Sequence, residues 1–143
     1  MANVVSDKDG PMALVSINRP DKHNAISLQT LSELHSAIDD AASDERIRVI
    51  TITGAGGKAL AAGSVLSELI DRYLAKALEP IVQGLADKLE RVPKPTIAAI
   101  DGICMGGGLE VALGCDLRIA TPESRFATPE GKLGIIPGGC LLY

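Results

Sequence analysis

The chain has 143 residues, a formal net charge of −4, and 46% apolar but only 2% aromatic residues. One domain fits this length, and the apolar residues suffice for one core, which excludes intrinsic disorder, collagen and low-complexity arrays. Nucleic-acid binding is not indicated, because the chain lacks both the excess of basic residues and the aromatic side chains for base stacking that such binding uses.

The cysteines and histidines argue against a disulfide framework and a metal site. Cys104, Cys115 and Cys140 are odd in number and have no C-x-x-C spacing. His23 and His35 stand apart from any ligand cluster. The N-terminus carries no apolar signal core, and no run approaches 18 apolar residues, so we expect neither secretion nor a membrane span. These features together indicate a reducing cytoplasm.

A strand, a helix and a second strand are predicted for the first third of the chain. Residues 13–17 are typical of a short strand, which turn residues follow. Ser27 is a suitable N-cap for a helix over residues 28–43, because apolar residues recur there at three- and four-residue steps. Residues 49–53 form a β-branched run that predicts a buried strand, and a glycine-rich turn follows at 54–57.

The rest of the chain continues this alternation. Apolar residues recur at helical spacing over 66–89, and Pro80 divides that stretch into two predicted helices. Residues 96–100 predict a strand, and three glycines then open a short helix that runs to Leu113. A further strand is predicted over 116–120. Short strands that alternate with helices predict an α/β fold.

Two turns of small residues are candidate ligand sites. Gly106-Gly107-Gly108 follow a strand and open a helix, where free N–H groups can bind an anion or an oxyanion. A flexible turn that allows close packing is the alternative, and the residues alone leave the two interpretations about even. Ala61-Ala62-Gly63-Ser64 precede the helix predicted from Leu66, and a backbone N–H there could point at a ligand. Alternatively, Ser64 is only the N-cap of that helix.

Two glutamates are candidates for acid–base chemistry. Glu110 lies in the first turn of a predicted helix among apolar residues, which suits a general acid or base, although such a glutamate more often only complements the helix dipole. Glu130 stands between Pro129 and Gly131 on a fixed loop and, taken alone, would be a solvated loop residue. A strand between their loops would let both carboxylates face one pocket and hold one water.

A dinucleotide site on Gly54-Ala55-Gly56 is a weaker interpretation. The third glycine of that fingerprint is replaced by Ala59. The acidic residue expected about twenty positions later should end a second parallel strand, but that region has a helical pattern.

The order and spacing of several motifs resemble the enoyl-CoA hydratase/isomerase (crotonase) superfamily. The motifs are Ile17-Asn18-Arg19-Pro20 with Asn24-Ala25, Thr51 to Gly56, Ala61 to Ser64, Ala98 to Ala120, Phe126 to Glu130, and Leu133 to Gly139. The likeness extends from about Leu14 to Gly139. It implies an α/β fold of stacked ββα turns around a perpendicular pair of sheets, with residues 1–143 as one crotonase-like core domain that lacks the family's C-terminal helical region.

The resemblance also implies a chemistry and a set of site residues. The substrate would be an acyl-CoA thioester, so that coenzyme A is part of the substrate and no separate cofactor is needed. The backbone N–H groups of Ser64 and Gly107 would form an oxyanion hole for the thioester enolate. Glu110 would orient and deprotonate a water, and Glu130 would exchange a proton at the α-carbon of a 2-enoyl-CoA. Substrate contacts would come from Lys22, Ala25, Ala62, Val65 and Leu66, although Lys22 is equally an ordinary solvated lysine.

The sequence departs from the family pattern in three places. Val65 stands where the family commonly has Asp, and Ser64 replaces the usual Ala. The sequence is also little more than half the length of a usual member, whose remaining helices cover the acyl pocket and build trimers or hexamers. We therefore expect exposed apolar surface, which favours a homo-oligomer or partner binding. A hydratase, an enoyl-CoA isomerase, and a catalytically silent domain that binds acyl-CoA or a partner all remain open.

Overall fold

The structure is a computed structural model that describes residues 2–68, 82–135 and 137. Its strands are β1 (Val4–Asp9), β2 (Met12–Ile17), β3 (Val49–Gly54), β4 (Ala59–Ala61), β5 (Thr96–Ile100), β6 (Ile103–Met105), β7 (Leu117–Ala120) and β8 (Arg125–Ala127). Its helices are α1 (Leu28–Ser43), α2 (Val82–Arg91) and α3 (Gly107–Gly114), with 3₁₀ turns at Pro20–Lys22 and Pro129–Leu133. Residues 66–68 are also helical.

The strands form two sheets that the chain visits in turn. A five-stranded sheet has the order β1-β2-β3-β5-β7, and a three-stranded sheet has the order β4-β6-β8. All neighbouring strands run parallel except β1 and β2. From β3 onward, each pair of strands gives one strand to each sheet, and helical residues follow. This repeated ββα unit is the spiral that the resemblance implies.

The elements with clear periodicity match their predictions. The helix over 28–43 and the strand over 96–100 have the predicted bounds, and the Ser27 hydroxyl accepts the Thr30 N–H at 3.1 Å as an N-cap. The strands predicted over 13–17, 49–53 and 116–120 differ from β2, β3 and β7 by one residue at one end. Two helices are predicted over 66–89. Residues 66–68 and 82–89 are helical, and Pro80 lies outside the described residues.

Four strands escaped the sequence analysis. β4, β6 and β8 have three residues each, which is too short for any periodicity to appear. β1 is an exposed, charged edge strand that is held by antiparallel pairing with β2. These strands therefore exist because neighbouring strands offer them hydrogen-bond partners, and their own composition carries little signal.

Buried aliphatic side chains of α1, β2, β3 and β5 form the main core. The far edge of the large sheet differs, because all four residues of β7 are exposed. Leu117 and Ile119 are 56% and 62% exposed, and Phe126 of β8 is 49% exposed. The expected exposed apolar surface is thus present at this edge. Among the described residues, no helix is long and apolar enough to cross a membrane.

A buried threonine connects the starts of β5 and β7. The Asp116 carboxylate accepts hydrogen bonds from the Thr96 N–H at 2.7 Å and from its hydroxyl at 2.9 Å, and the Asp116 N–H donates back to that hydroxyl at 2.9 Å. These contacts, led by the backbone N–H, hold the pKa of the Asp116 carboxyl below its usual value. The pair fixes the register of the edge strand.

We expect Thr96→Val to lower the free energy of unfolding by about 1 kcal/mol at pH 7, because the carboxylate loses a donor in a partly solvated position. A carboxyl with a lowered folded pKa contributes stability above its unfolded pKa, near pH 4, and loses it as the pH falls. The difference between wild type and variant should therefore shrink below about pH 4. Urea denaturation at several pH values measures this, and a difference that grows with acid would contradict it.

Candidate functional site

The small sheet brings three parts of the predicted site to one edge. β4, β6 and β8 are parallel, so their carboxyl ends lie together. Ser64 follows β4, Gly107 and Glu110 follow β6, and Glu130 follows β8. The sequence motifs are far apart along the chain, and parallel pairing is what makes them neighbours.

The Ser64 N–H faces away from the strand segment beside it. Ile26 and Ser64 form an isolated parallel bridge, in which the Ile26 N–H donates to the Gly63 carbonyl at 2.8 Å and the Val65 N–H donates to the Ile26 carbonyl at 3.0 Å. In such a bridge the N–H and C=O of the central residue point to the opposite side. Within the described part of the chain, this N–H donates to no backbone acceptor outside the regular elements. It is therefore available to a ligand oxygen.

The Gly107 N–H is the second available donor. Gly107 is the first residue of α3, and the first N–H groups of a helix have no partner within that helix. Gly106 precedes it with φ +50°, a conformation that favours glycine, and its N–H donates to the Ala127 carbonyl at 3.1 Å. At Gly108 a Cβ atom would lie 2.3 Å from the Ala61 carbonyl oxygen. The three glycines thus let the helix start directly against β4, beside the Ser64 turn.

Glu130 is buried in the same place. It is the second residue of the 3₁₀ turn after β8 and is only 8% exposed, so the alternative of a solvated loop residue is wrong. A Cβ atom on Gly106 would lie 3.0 Å from Glu130 Oε1 and 3.8 Å from Gly63 Cα. The carboxylate therefore lies against Gly106, at a point that the Gly63 turn also approaches. Among the described residues, its Oε2 atom is buried and has no hydrogen-bond partner. Such an oxygen is costly unless a ligand or a water satisfies it.

Glu110 is carried by the same helix as the Gly107 donor. It is 3% exposed, its N–H donates to the Gly106 carbonyl at 3.0 Å, and buried Val111 and Ala112 follow it. A carboxylate so close to a helix start is favoured by the helix dipole. The structure thus places Glu110 in the first turn of α3, as predicted, and buries it.

The residues predicted to contact the substrate form two interlocked loops. One loop holds Lys22 and Ala25, and the other holds Ala62, Val65 and Leu66. The Ala62 N–H donates to the His23 carbonyl at 3.0 Å, which joins the loops beside the bridge at Ser64. Lys22 and Leu66 are exposed, whereas the three others are half-buried. The loops therefore offer one exposed cation and several apolar side chains near the two N–H donors.

Other candidate sites receive no support. Burial raises the pKa of the Cys104 thiol to about 11 and that of Cys115 to about 12, so neither is a nucleophile near neutral pH. The part of the chain that is described contains no group of three or more metal-ligating side chains. After Gly54 the chain enters β4 of the other sheet, whereas a dinucleotide fingerprint needs a helix there.

The sequence analysis missed the part that Asn24 plays beside these turns. Asn24 is 1% exposed and has φ +57°. Its carboxamide oxygen accepts the Arg19 N–H, and its nitrogen donates to the carbonyls of Ala55 and Ala59. An asparagine in a short turn is a weak signal, because asparagine is common in left-handed turns.

Comparison with known sequences agrees with this architecture. The sequence model of the family described as enoyl-CoA hydratase/isomerase matches residues 7–143. A short-chain-enoyl-CoA hydratase of Clostridium acetobutylicum is 39% identical over 138 residues, which are 95% of this chain and 53% of that protein. A crotonyl-CoA hydratase of Syntrophomonas wolfei is 36% identical over 95% of this chain and 53% of its own length. The chain thus spans about half the length of these relatives.

Solved structures show the same likeness. The crystal structure of an enoyl-CoA hydratase from Thermoplasma volcanium superposes with a TM-score of 0.89 at 34% identity and covers 97% of this chain and 56% of that one. An enoyl-CoA hydratase from Bacillus anthracis gives 0.86 at 35% identity, over 95% of this chain and 54% of that one. Sequence match, ββα spiral and superposition agree, and the chain belongs to the enoyl-CoA hydratase/isomerase (crotonase) family.

Proposed function

We propose that the chain carries the oxyanion-binding and acid–base centre of an enoyl-CoA hydratase, which adds water to a 2-enoyl-CoA thioester. The observation that carries this proposal is the buried Oε2 atom of Glu130, which has no hydrogen-bond partner among the described residues and belongs to a carboxylate that lies against Gly106. A site with two available N–H groups and two buried carboxylates suits a reaction in which an oxyanion forms while protons move. Both relatives described above are named hydratases, which supports the same reaction.

In this proposal the N–H groups of Ser64 and Gly107 donate to the thioester oxygen as it gains negative charge. Glu110 takes a proton from the water, whose hydroxyl adds to the β-carbon. Glu130 gives a proton to the α-carbon, which completes the addition of H and OH across the double bond. The cycle closes when the proton on Glu110 is returned to Glu130. Each N–H donor is worth about 3 kcal/mol of transition-state stabilisation in comparable oxyanion holes.

The substrate contacts belong to the same proposal. Lys22 is exposed on the loop beside the site and is suited to the phosphates of coenzyme A. Ala25, Ala62, Val65 and Leu66 would contact the acyl-pantetheine part. Because Val65 is apolar at a position where the family commonly has Asp, this part of the pocket should favour an apolar contact.

Assembly and location belong to the same proposal. The exposed Leu117, Ile119 and Phe126 are compatible with a homo-oligomer, as the family resemblance implies. The proposed reaction on a coenzyme A thioester would take place in the cytoplasm.

The first test is the loss of enoyl-thioester absorbance when the pure protein meets crotonyl-CoA. We expect the absorbance to fall and the product to be heavier than crotonyl-CoA by the mass of one water, because the proposed site hydrates the double bond. A product of unchanged mass would favour an isomerase. Binding of crotonyl-CoA without any loss of absorbance would favour the silent acyl-CoA-binding domain, and both results would contradict the proposal.

A further inference from the structure

Asn24 lies outside the proposed catalytic set, but its buried side chain joins the loops beside it. Its carboxamide is fully engaged on two sides. Oδ1 accepts the Arg19 N–H at 2.9 Å, while Nδ2 donates to the Ala55 carbonyl at 3.0 Å and to the Ala59 carbonyl at 2.8 Å. The side chain packs against Gly54, where a Cβ atom would lie 2.6 Å from Nδ2. Asn24 thus ties the loop after β2 to both ends of the turn between β3 and β4.

The loop that Asn24 holds is the one that supports Ser64. The neighbour on one side, His23, accepts the Ala62 N–H, and Ile26 forms the bridge whose hydrogen bonds run to Gly63 and Val65. Residues 62, 63 and 65 are therefore all bonded to the backbone on either side of Asn24. Any shift of this loop moves the Ser64 N–H, because the bonds flank that residue closely.

We propose that Asn24 is a positioning residue that sets the direction of the Ser64 N–H in the oxyanion hole. This inference rests on the proposed function. A donor stabilises an oxyanion only when it is already aimed at the oxygen, and a displacement of about 1 Å can cost on the order of 100-fold in rate. The asparagine amide provides two donors and one acceptor in one buried plane, which no other side chain of that size does.

The test compares Asn24→Gly with Thr96→Val. Glycine tolerates the positive φ of this position, so the variant removes the carboxamide without adding backbone strain. Thr96→Val removes a buried hydroxyl of the large sheet that bonds to Asp116, and it controls for lost stability. The readouts are amide hydrogen exchange at Ala62 and Val65, and kcat and KM for crotonyl-CoA.

We expect exchange at Ala62 and Val65 to be about tenfold faster in Asn24→Gly than in Thr96→Val at matched global stability. We also expect kcat to fall by about tenfold to 100-fold while KM changes by less than about threefold, since an oxyanion-hole donor acts mainly in the transition state. Equal exchange in the two variants, or a change in KM alone, would overturn the proposal.

One measurement needs no variant. In the wild-type protein, the Asn24 side-chain amide protons and the Ala62 and Val65 amides should exchange with the same dependence on denaturant, because they belong to one hydrogen-bonded unit. Independent opening would overturn the positioning role even if Asn24→Gly failed to fold. Wild-type protein without turnover would refute the proposed function, whereas the exchange data would still decide whether Asn24 holds the Ser64 loop.

Discussion

Glu130→Gln is expected to lower kcat for crotonyl-CoA by about 100- to 10,000-fold, the range in which a positioned acid–base group contributes. Glutamine keeps the shape of the side chain, but it cannot supply the proton to the α-carbon. KM should change little, because the substrate contacts lie on the other loops. The free energy of unfolding should not fall, since glutamine keeps the shape of the side chain and the Oε2 atom that it replaces has no hydrogen-bond partner among the described residues. Steady-state kinetics and urea denaturation measure these two effects.

Glu123→Gln is the matched control, because this substitution makes the same chemical change at an exposed residue of the turn between β7 and β8. It should leave kcat and KM unchanged. The role of Glu130 would be contradicted if both variants kept wild-type kcat, or if both lost it equally. A Glu110→Gln variant with wild-type kcat would separately contradict the role proposed for the first glutamate.

Gly108→Ala is expected to reduce both activity and stability. The added Cβ atom would lie 2.3 Å from the Ala61 carbonyl oxygen and 2.8 Å from the Ala61 Cβ, so α3 must move away from β4. Overpacking of this kind costs about 1 to 3 kcal/mol of unfolding free energy. The movement also separates the Gly107 N–H from the Ser64 turn, and we expect kcat to fall by about 100-fold or more. Denaturation and crotonyl-CoA kinetics test the two expectations.

Gly84→Ala provides the same substitution in another helix. Among the described residues, nothing lies within 4 Å of a Cβ atom at Gly84 of α2, and alanine favours a helix over glycine. The control should therefore keep its activity and gain up to about 1 kcal/mol of stability. If Gly108→Ala behaved like this control, the close approach of α3 to β4 would not be what positions the Gly107 donor.

The burial of Glu130 could not be predicted from the sequence. The residues around it, Pro129 and Gly131, correctly indicate a constrained turn, but they also suggest exposure to solvent. The structure buries the carboxylate against Gly106 and near Gly63. These residues come from other ββα units, so their proximity depends on the register of β4, β6 and β8. Three-residue strands have no periodic pattern, and that register was therefore invisible in the sequence.

The sequence by itself determined the longer periodic elements and the family. The apolar spacing of α1, the N-cap at Ser27 and the β-branched residues of β3 are local signals, and the motif order from Ile17 to Gly139 needs no coordinates. Only the tertiary structure decided that Glu130 is buried, that Asn24 ties the loop after β2 to the turn between β3 and β4, and that the edge at β7 exposes Leu117 and Ile119. The physical reason is that periodicity and capping arise between residues within a few positions of each other, whereas burial and site geometry arise between strands that pair across long stretches of chain.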